Sequence, residues 1–161
     1  MTKGSHEWQE RRESRKLLRV KAEVGKRKAE GCAMRMEGLR ERTKQFAMRV
    51  VRLYTSLPES TLAQTLGKQV LRSGTSVAAN FREASRARSS AEFISKLGIV
   101  EQELDETALW LELLEESGVF PKEKLVSLRG EADELIRIVV VSLRRSKSKK
   151  SAAVTAAKRT E

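Results

Sequence analysis

Residues 93–114 read Phe93-Ile94-Ser95-Lys96-Leu97-Gly98-Ile99-Val100-Glu101-Gln102-Glu103-Leu104-Asp105-Glu106-Thr107-Ala108-Leu109-Trp110-Leu111-Glu112-Leu113-Leu114, and this stretch decides the fold. Phe93, Leu97, Val100, Leu104, Ala108, Leu111 and Leu114 recur at steps of three and four. That spacing places them on one face of a helix over about three heptads. Just upstream, Ser89-Ser90-Ala91-Glu92 has the form of a capping box, with Ser89 as N-cap and Glu92 three residues on. Downstream, Ser117-Gly118 supplies a stop, because glycine tolerates the left-handed conformation that follows a helix C-terminus.

Working outward, the same periodicity recurs on both sides. Leu62, Leu66, Val70, Gly74, Val77 and Phe81 form a second stripe behind a cap at Ser60 or Thr61, and a break is expected near Arg86–Ser89. The middle of that segment, Ser73 to Ala79, is a run of small residues, in which Gly74 alone lowers helix stability by ~1 kcal/mol relative to alanine. Such a run reads either as the close approach of a neighbouring helix or as a functional loop. Further upstream, Phe46, Val50, Leu53 and Leu57 make a third stripe, ended by Pro58. Beyond Pro121, which suits a first helical turn, Leu125, Leu128, Ala132, Leu135, Val139 and Ser142 make the fourth, widened by Ile136, Val140 and Leu143. Four such segments with three short connections predict an all-α, antiparallel up-down four-helix bundle over residues 39–145. The chain is 4% aromatic with two prolines, which disfavours β architecture. About twenty large apolar side chains, each worth roughly 1.5–3 kcal/mol on burial, give a term of the order needed against chain entropy.

The apolar surface exceeds what one bundle requires. Leu109 and Trp110 with Ile136 and Val140 either complete the monomer core or form an oligomer interface.

Net charge is +11, and it is unevenly placed. Residues 1–45 hold 14 Lys/Arg against 7 Asp/Glu, residues 46–143 hold 12 against 14, and residues 144–161 hold 7 against 1. The basicity lies outside the expected core, and basic segments of this kind attract polyanions by releasing counterions. Residues 1–38 are expected to form a basic, poorly ordered extension, interrupted by Gly25, Gly31 and Gly38; residues 146–161 are expected to form a disordered basic tail. Met34 and Met36 stand just before the organised part, and one reading starts translation there. One cysteine, Cys32, forms no internal disulfide, no apolar run approaches the ~20 residues of a membrane span, and residues 1–10 lack a secretory signal. A cytoplasmic protein without membrane attachment is expected.

Catalytic patterns are missing. The sole histidine is His6, so a Ser-His-Asp triad or an inward Glu-x-x-His metal site has nothing to recruit within the bundle. No phosphate-cradling glycine-rich loop is present. Glu101, Asp105, Glu112 and Glu116 share a face, but a solvated or ion-paired acidic face explains them better than acid–base chemistry. No enzyme, cofactor or metal is expected. The second helical segment offers more: Lys68, Arg72, Arg82 and Arg86 lie on one stripe, with Arg88 just beyond. Arginines so placed either grip phosphates or pair with the acidic face of the third segment. No aromatic residue interleaves with them, so no stacking platform is suggested.

The stretch Gln69-Val70-Leu71-Arg72-Ser73-Gly74-Thr75-Ser76-Val77-Ala78-Ala79-Asn80-Phe81-Arg82-Glu83-Ala84-Ser85-Arg86-Ala87 resembles the signature of the 23S rRNA intervening-sequence proteins, a bacterial four-helix-bundle family. The segments 90–97 and 104–114 continue the resemblance, which spans roughly residues 44–145. It implies kinship with the accessory variability proteins of diversity-generating retroelements. It also implies a homo-oligomer, a pentameric ring or barrel, that binds RNA or DNA through basic residues, with Arg72, Arg82 and Arg86 in the matching segment. Together with the basic residues Arg144, Arg145 and Lys147, these give the expected function: a non-catalytic nucleic-acid-binding oligomer whose phosphate contacts come from Lys68, Arg72, Arg82, Arg86, Arg88 and the C-terminal tail. The alternative is a protein–protein adaptor that docks a nucleic-acid enzyme such as a reverse transcriptase.

Overall fold

The computed structural model describes residues 3–157. Residues 1–2 and 158–161 of the expected extension and tail, and the side chains of His6 and Cys32, lie outside what it describes. The chain divides into two compact units, Met1–Leu39 and Arg40–Glu161. Among the described residues every regular element is helical: α1 (Lys3–Thr55), α2 (Thr61–Ala84), α3 (Ser90–Glu116) and α4 (Lys122–Ala157).

Local chemistry sets the helix ends. Ser60 is the N-cap of α2, its hydroxyl accepting from the Ala63 N–H at 3.3 Å. Ser89 caps α3 in the same way, accepting from Glu92 N–H at 3.1 Å. The Glu92 carboxylate reaches back one residue further than in the usual capping box, to the N–H of Arg88 at 2.8 Å. Gly118 follows α3 with φ +66°, the one positive φ among the described residues and a conformation that side chains with a Cβ disfavour.

Within the Arg40–Glu161 unit, cross-helix contacts show neighbours running antiparallel. Val50 of α1 meets Gly74 of α2, while Tyr54 meets Gly67. Thr107 of α3 donates to Ser73 of α2 at 2.9 Å, and Lys96 pairs with Glu83 at 2.5 Å. Arg129 of α4 pairs with Glu112 of α3 at 2.9 Å and also with Glu115. Arg42 of α1 clasps Glu131 of α4 through two hydrogen bonds of 2.7 and 3.2 Å. The core between these contacts is apolar, with Phe46, Val50, Val70, Val77, Phe81, Leu97, Leu104, Leu111, Leu125 and Leu135 fully buried. Its buried polar groups Ser73 and Thr107 satisfy each other, and Ser73 passes a hydrogen bond to the Gln69 carbonyl at 2.9 Å. Buried hydroxyls left without partners cost far more than such a pair.

The small-residue run of α2 is helical throughout, so the close-approach reading holds. A Cβ at Gly74 would stand 2.7 Å from Val50 Cγ2, which is closer than packed carbon atoms approach. The same closeness alters the expected stripe. Leu62 is 49% exposed and Leu66 half-buried, whereas Ala63 and Gly67 are buried instead. Leu57 and Tyr54 already fill the space against Gly67, leaving no room for leucine on that side.

Of the stretches expected as a basic extension and tail, residues 3–38 lie within α1 and residues 146–157 within α4. The residues in both stretches are mostly Lys, Arg, Glu, Ala and Leu, all strong helix formers, with no proline in either. The three glycines weaken α1 locally without ending it. Residue pairs such as Glu23–Arg27, 3.5 Å apart at i,i+4 spacing, add a little support.

Candidate functional site

The α2–α3 connection, residues 85–89, brings the C-terminus of α2 to the first turn of α3. Around it lies an open depression of about 710 Å³ bordered by Arg82, Arg86 and Arg88, by Arg40 and Lys44 of α1, and by Glu83 and Glu92. Arg82, Arg86 and Arg88 are exposed, and among the described residues their guanidinium groups form no ion pair. The two carboxylates are occupied: Glu83 by Lys96, and Glu92 by the Arg88 N–H. Lys44 pairs with Glu41 at 3.4 Å, an exposed i,i+3 contact of little strength. The depression therefore gathers three exposed guanidinium groups, those of Arg82, Arg86 and Arg88, at the end of α2 and in the connection that follows it, beside Arg40 and Lys44 of α1.

A second depression, of about 350 Å³, is bordered by Ile94 of α3 and by Lys147 and Lys150 of α4. Arg144 and Arg145 are exposed on the same stretch of α4. The continuation of α4 beyond Leu143 thus brings Lys147 and Lys150 to the first turns of α3.

The expected basic stripe of α2 is not a single surface. Arg72 binds Glu106 and lies 3.9 Å from Glu103, so it pairs with the acidic face of α3. Lys68 is exposed but lies about 21 Å along the helix axis from Arg82, at 1.5 Å per residue. Arg82, Arg86 and Arg88 come together; Lys68 and Arg72 stand apart from them. Arg40 and Lys44 belong to the depression although sequence reasoning grouped them with the N-terminal charge. Their i,i+4 spacing immediately before the apolar stripe at Phe46 was the available signal.

Of the expected interface residues, Leu109 is 49% exposed and Trp110, Ile136 and Val140 are half-buried. The Trp110 indole nitrogen is buried without a hydrogen-bond partner, as is one carboxylate oxygen of Glu103. Burial, followed by the neighbouring Glu106, raises the Glu103 carboxyl above its ordinary value, with Arg72 opposing. Among the described residues no three His, Cys, Asp or Glu side chains are placed to hold a metal ion. Among them too, no helix is long and apolar enough to cross a membrane.

The 23S rRNA-intervening sequence protein family model matches residues 39–140. The chain belongs to this family. A crystal structure from Bacteroides thetaiotaomicron, of a protein with unknown function from the S23 ribosomal protein family, is 36% identical with a TM-score of 0.64. The likeness covers 68% of this chain and 97% of that one. No curated protein matches. The family match takes in α2, α3 and the part of α4 up to residue 140, so Arg82, Arg86 and Arg88 fall inside the 23S rRNA-intervening sequence region and Arg144, Arg145 and Lys147 fall beyond it.

Proposed function

We propose that this 23S rRNA-intervening sequence protein is a non-catalytic, homo-oligomeric four-helix bundle that binds RNA or DNA through phosphate contacts. The observation that carries this reading is the cluster of Arg82, Arg86 and Arg88, exposed and without ion pairs among the described residues, at the mouth of an open basic depression with Arg40 and Lys44. Guanidinium groups bind phosphate oxygens bidentately, and each neutralised phosphate releases counterions, so affinity depends steeply on salt. Arg72 plays no part in this contact, because binding there would first have to break its pairs with Glu103 and Glu106.

Self-association into a ring, with five copies as the expected number, uses the outward faces of α3 and α4. The exposure of Leu109 and the unsatisfied indole N–H of Trp110 support it, since a second copy would cover the one and offer an acceptor to the other. The same face would serve a partner protein such as a reverse transcriptase in the adaptor reading. The protein acts in the cytoplasm on this proposal.

Two measurements on the full chain test these points. Fluorescence anisotropy with labelled RNA and DNA across a salt series should show binding that the Arg82→Ala/Arg86→Ala/Arg88→Ala variant loses and Arg72→Ala retains. Native mass spectrometry should show a closed homo-oligomer that Leu109→Lys dissociates. Salt-insensitive binding, or equal loss in both arginine variants, counts against the nucleic-acid reading.

A further inference from the structure

Two surfaces of the bundle, neither of them part of the arginine site, match each other in charge and apolar character. Asp105, Leu109, Glu112 and Glu116 of α3 are all exposed. At 3.6 residues per turn they fall within about 60° of one another around the helix axis. Leu109 is thus an apolar knob with carboxylates on both sides along the helix. Glu112 is tied to Arg129, but the Asp105 and Glu116 carboxylates have no ion pair or hydrogen bond among the described residues. A third depression, of about 260 Å³, is bordered by α1, by α4 and by Phe120 just before α4. Leu53, Phe120 and Leu128 give it an apolar floor, and Arg49, Arg52 and Lys124 stand around it with no carboxylate in the lining. Arg49 donates to Ser127 Oγ at 3.0 Å, and Lys124 Nζ lies 5.6 Å from the Phe120 ring centroid. Among the described residues none of these three cations has an ion-pair partner. No residue of α3 borders this hollow, so Leu109 does not fill the hollow of its own chain.

We infer that Leu109 of one copy seats in the hollow between Arg49, Arg52 and Lys124 of a second copy, with Asp105 and Glu116 meeting those cations. The inference rests on the self-association reading above and names the two surfaces that would carry it. Knob and hollow are different patches of one chain, so the contact is head to tail, and its repetition gives a ring when the rotation closes. Seating Leu109 removes from water a large apolar side chain that is 49% exposed. The opposite charges fix which way the copies face and exclude like-charged alternatives. A nucleic-acid strand would meet the cations but leave Leu109 and the apolar floor unused; a second copy uses all three.

Sedimentation velocity and native mass spectrometry of the full chain test the contact, with circular dichroism confirming that every variant is folded. Leu109→Lys removes the knob, and Arg52→Glu/Lys124→Glu reverses the charge of the hollow. Arg52 lies in the last turn of α1 and Lys124 in the first turn of α4, so glutamate costs the first helix little and suits the second. Each variant alone should be monomeric. Mixed in equal amounts they should form a heterodimer and nothing larger, because one intact hollow then meets one intact knob. Adding Asp105→Lys/Glu116→Lys to Arg52→Glu/Lys124→Glu in the same chain should restore the wild-type assembly. Either result upholds the contact. Folded monomers that neither pair on mixing nor recover on the charge swap overturn it. A variant of either surface that keeps the wild-type assembly also overturns it; loss of RNA affinity in the hollow variant would then assign the three cations to phosphate. A wild-type chain that is itself monomeric removes the self-association reading together with the inference.

Discussion

Replacing Gly74 by alanine sets two effects of similar size against each other, and the structure decides between them. In a helix interior the substitution gains roughly 1 kcal/mol from propensity. The new methyl group, however, would stand 2.7 Å from Val50 Cγ2 and 2.9 Å from Cγ1. Val50 is fully buried and β-branched, so its side chain has no free rotamer into which to withdraw. Overpacking of a tight contact costs about 1–3 kcal/mol, and with no room to yield the upper part of that range applies. The expected net loss is about 1–2 kcal/mol, or about 2–8 °C in Tm for a domain of this size. Gly130 provides the reference, since it is exposed on α4 and an added Cβ would meet nothing within 4 Å. Gly130→Ala should therefore gain up to about 1 kcal/mol. Urea unfolding followed by circular dichroism measures both at one protein concentration, because self-association shifts apparent stability. Combining Gly74→Ala with Val50→Ala should cost less than the sum of the two single losses. If Gly74→Ala stabilises as much as Gly130→Ala does, the account of α1–α2 packing is wrong.

Three further outcomes are expected. Glu103→Gln should raise stability at neutral pH, because burial favours the neutral carboxyl; since its folded value lies above the unfolded one, the penalty is absent below the unfolded value and complete above the folded one, so the gain over wild type should shrink as pH falls. A thermal-melt series across pH reads this directly. A double-mutant cycle on Arg42→Ala and Glu131→Ala should give a coupling of about 0.5–1 kcal/mol that weakens with salt, as befits a bidentate but partly exposed pair. Thr107→Val should cost about 1 kcal/mol in urea unfolding by removing the buried hydroxyl contact between α3 and α2, while Ser73 keeps its bond to Gln69.

The helical segments were legible because their signals are local. Ser89 and Glu92 cap within one turn, and Leu97, Leu104 and Leu111 repeat at a fixed step, whatever the rest of the chain does. The burial of Ala63 and Gly67 in preference to Leu62 and Leu66 was not legible, because it depends on how near α1 comes, a distance set by Tyr54 of α1 and by Leu57 just after it. The candidate site shows the same division. Arg82, Arg86 and Arg88 follow one another in sequence, but Arg40 and Lys44 join them only through the antiparallel arrangement. The choice for Arg72 between phosphate and carboxylate turned on the register of α2 against α3, which brings Glu103 and Glu106 opposite it. Charge counted along the chain does not by itself distinguish helix from coil at the two ends, since Lys, Arg and Glu signal solvation and favour helix equally well.

Gly67 and Gly74 are seven residues apart, about 10.5 Å along the axis, and each receives a side chain of α1. Together they act as two notches of a mechanical key. A slip of the α1 stretch about Val50 by part of a turn would drive the Val50 methyl groups into the α2 backbone, so this contact has one allowed register and no gradual path away from it. Thermal motion around the key is expected to be small: within the Arg40–Glu161 unit, the stretch of α1 about Val50 and Tyr54 is held to α2 at both notches. Hydrogen exchange should then be slowest at the amides flanking Val50 and Gly74, and local opening should begin elsewhere in the fold.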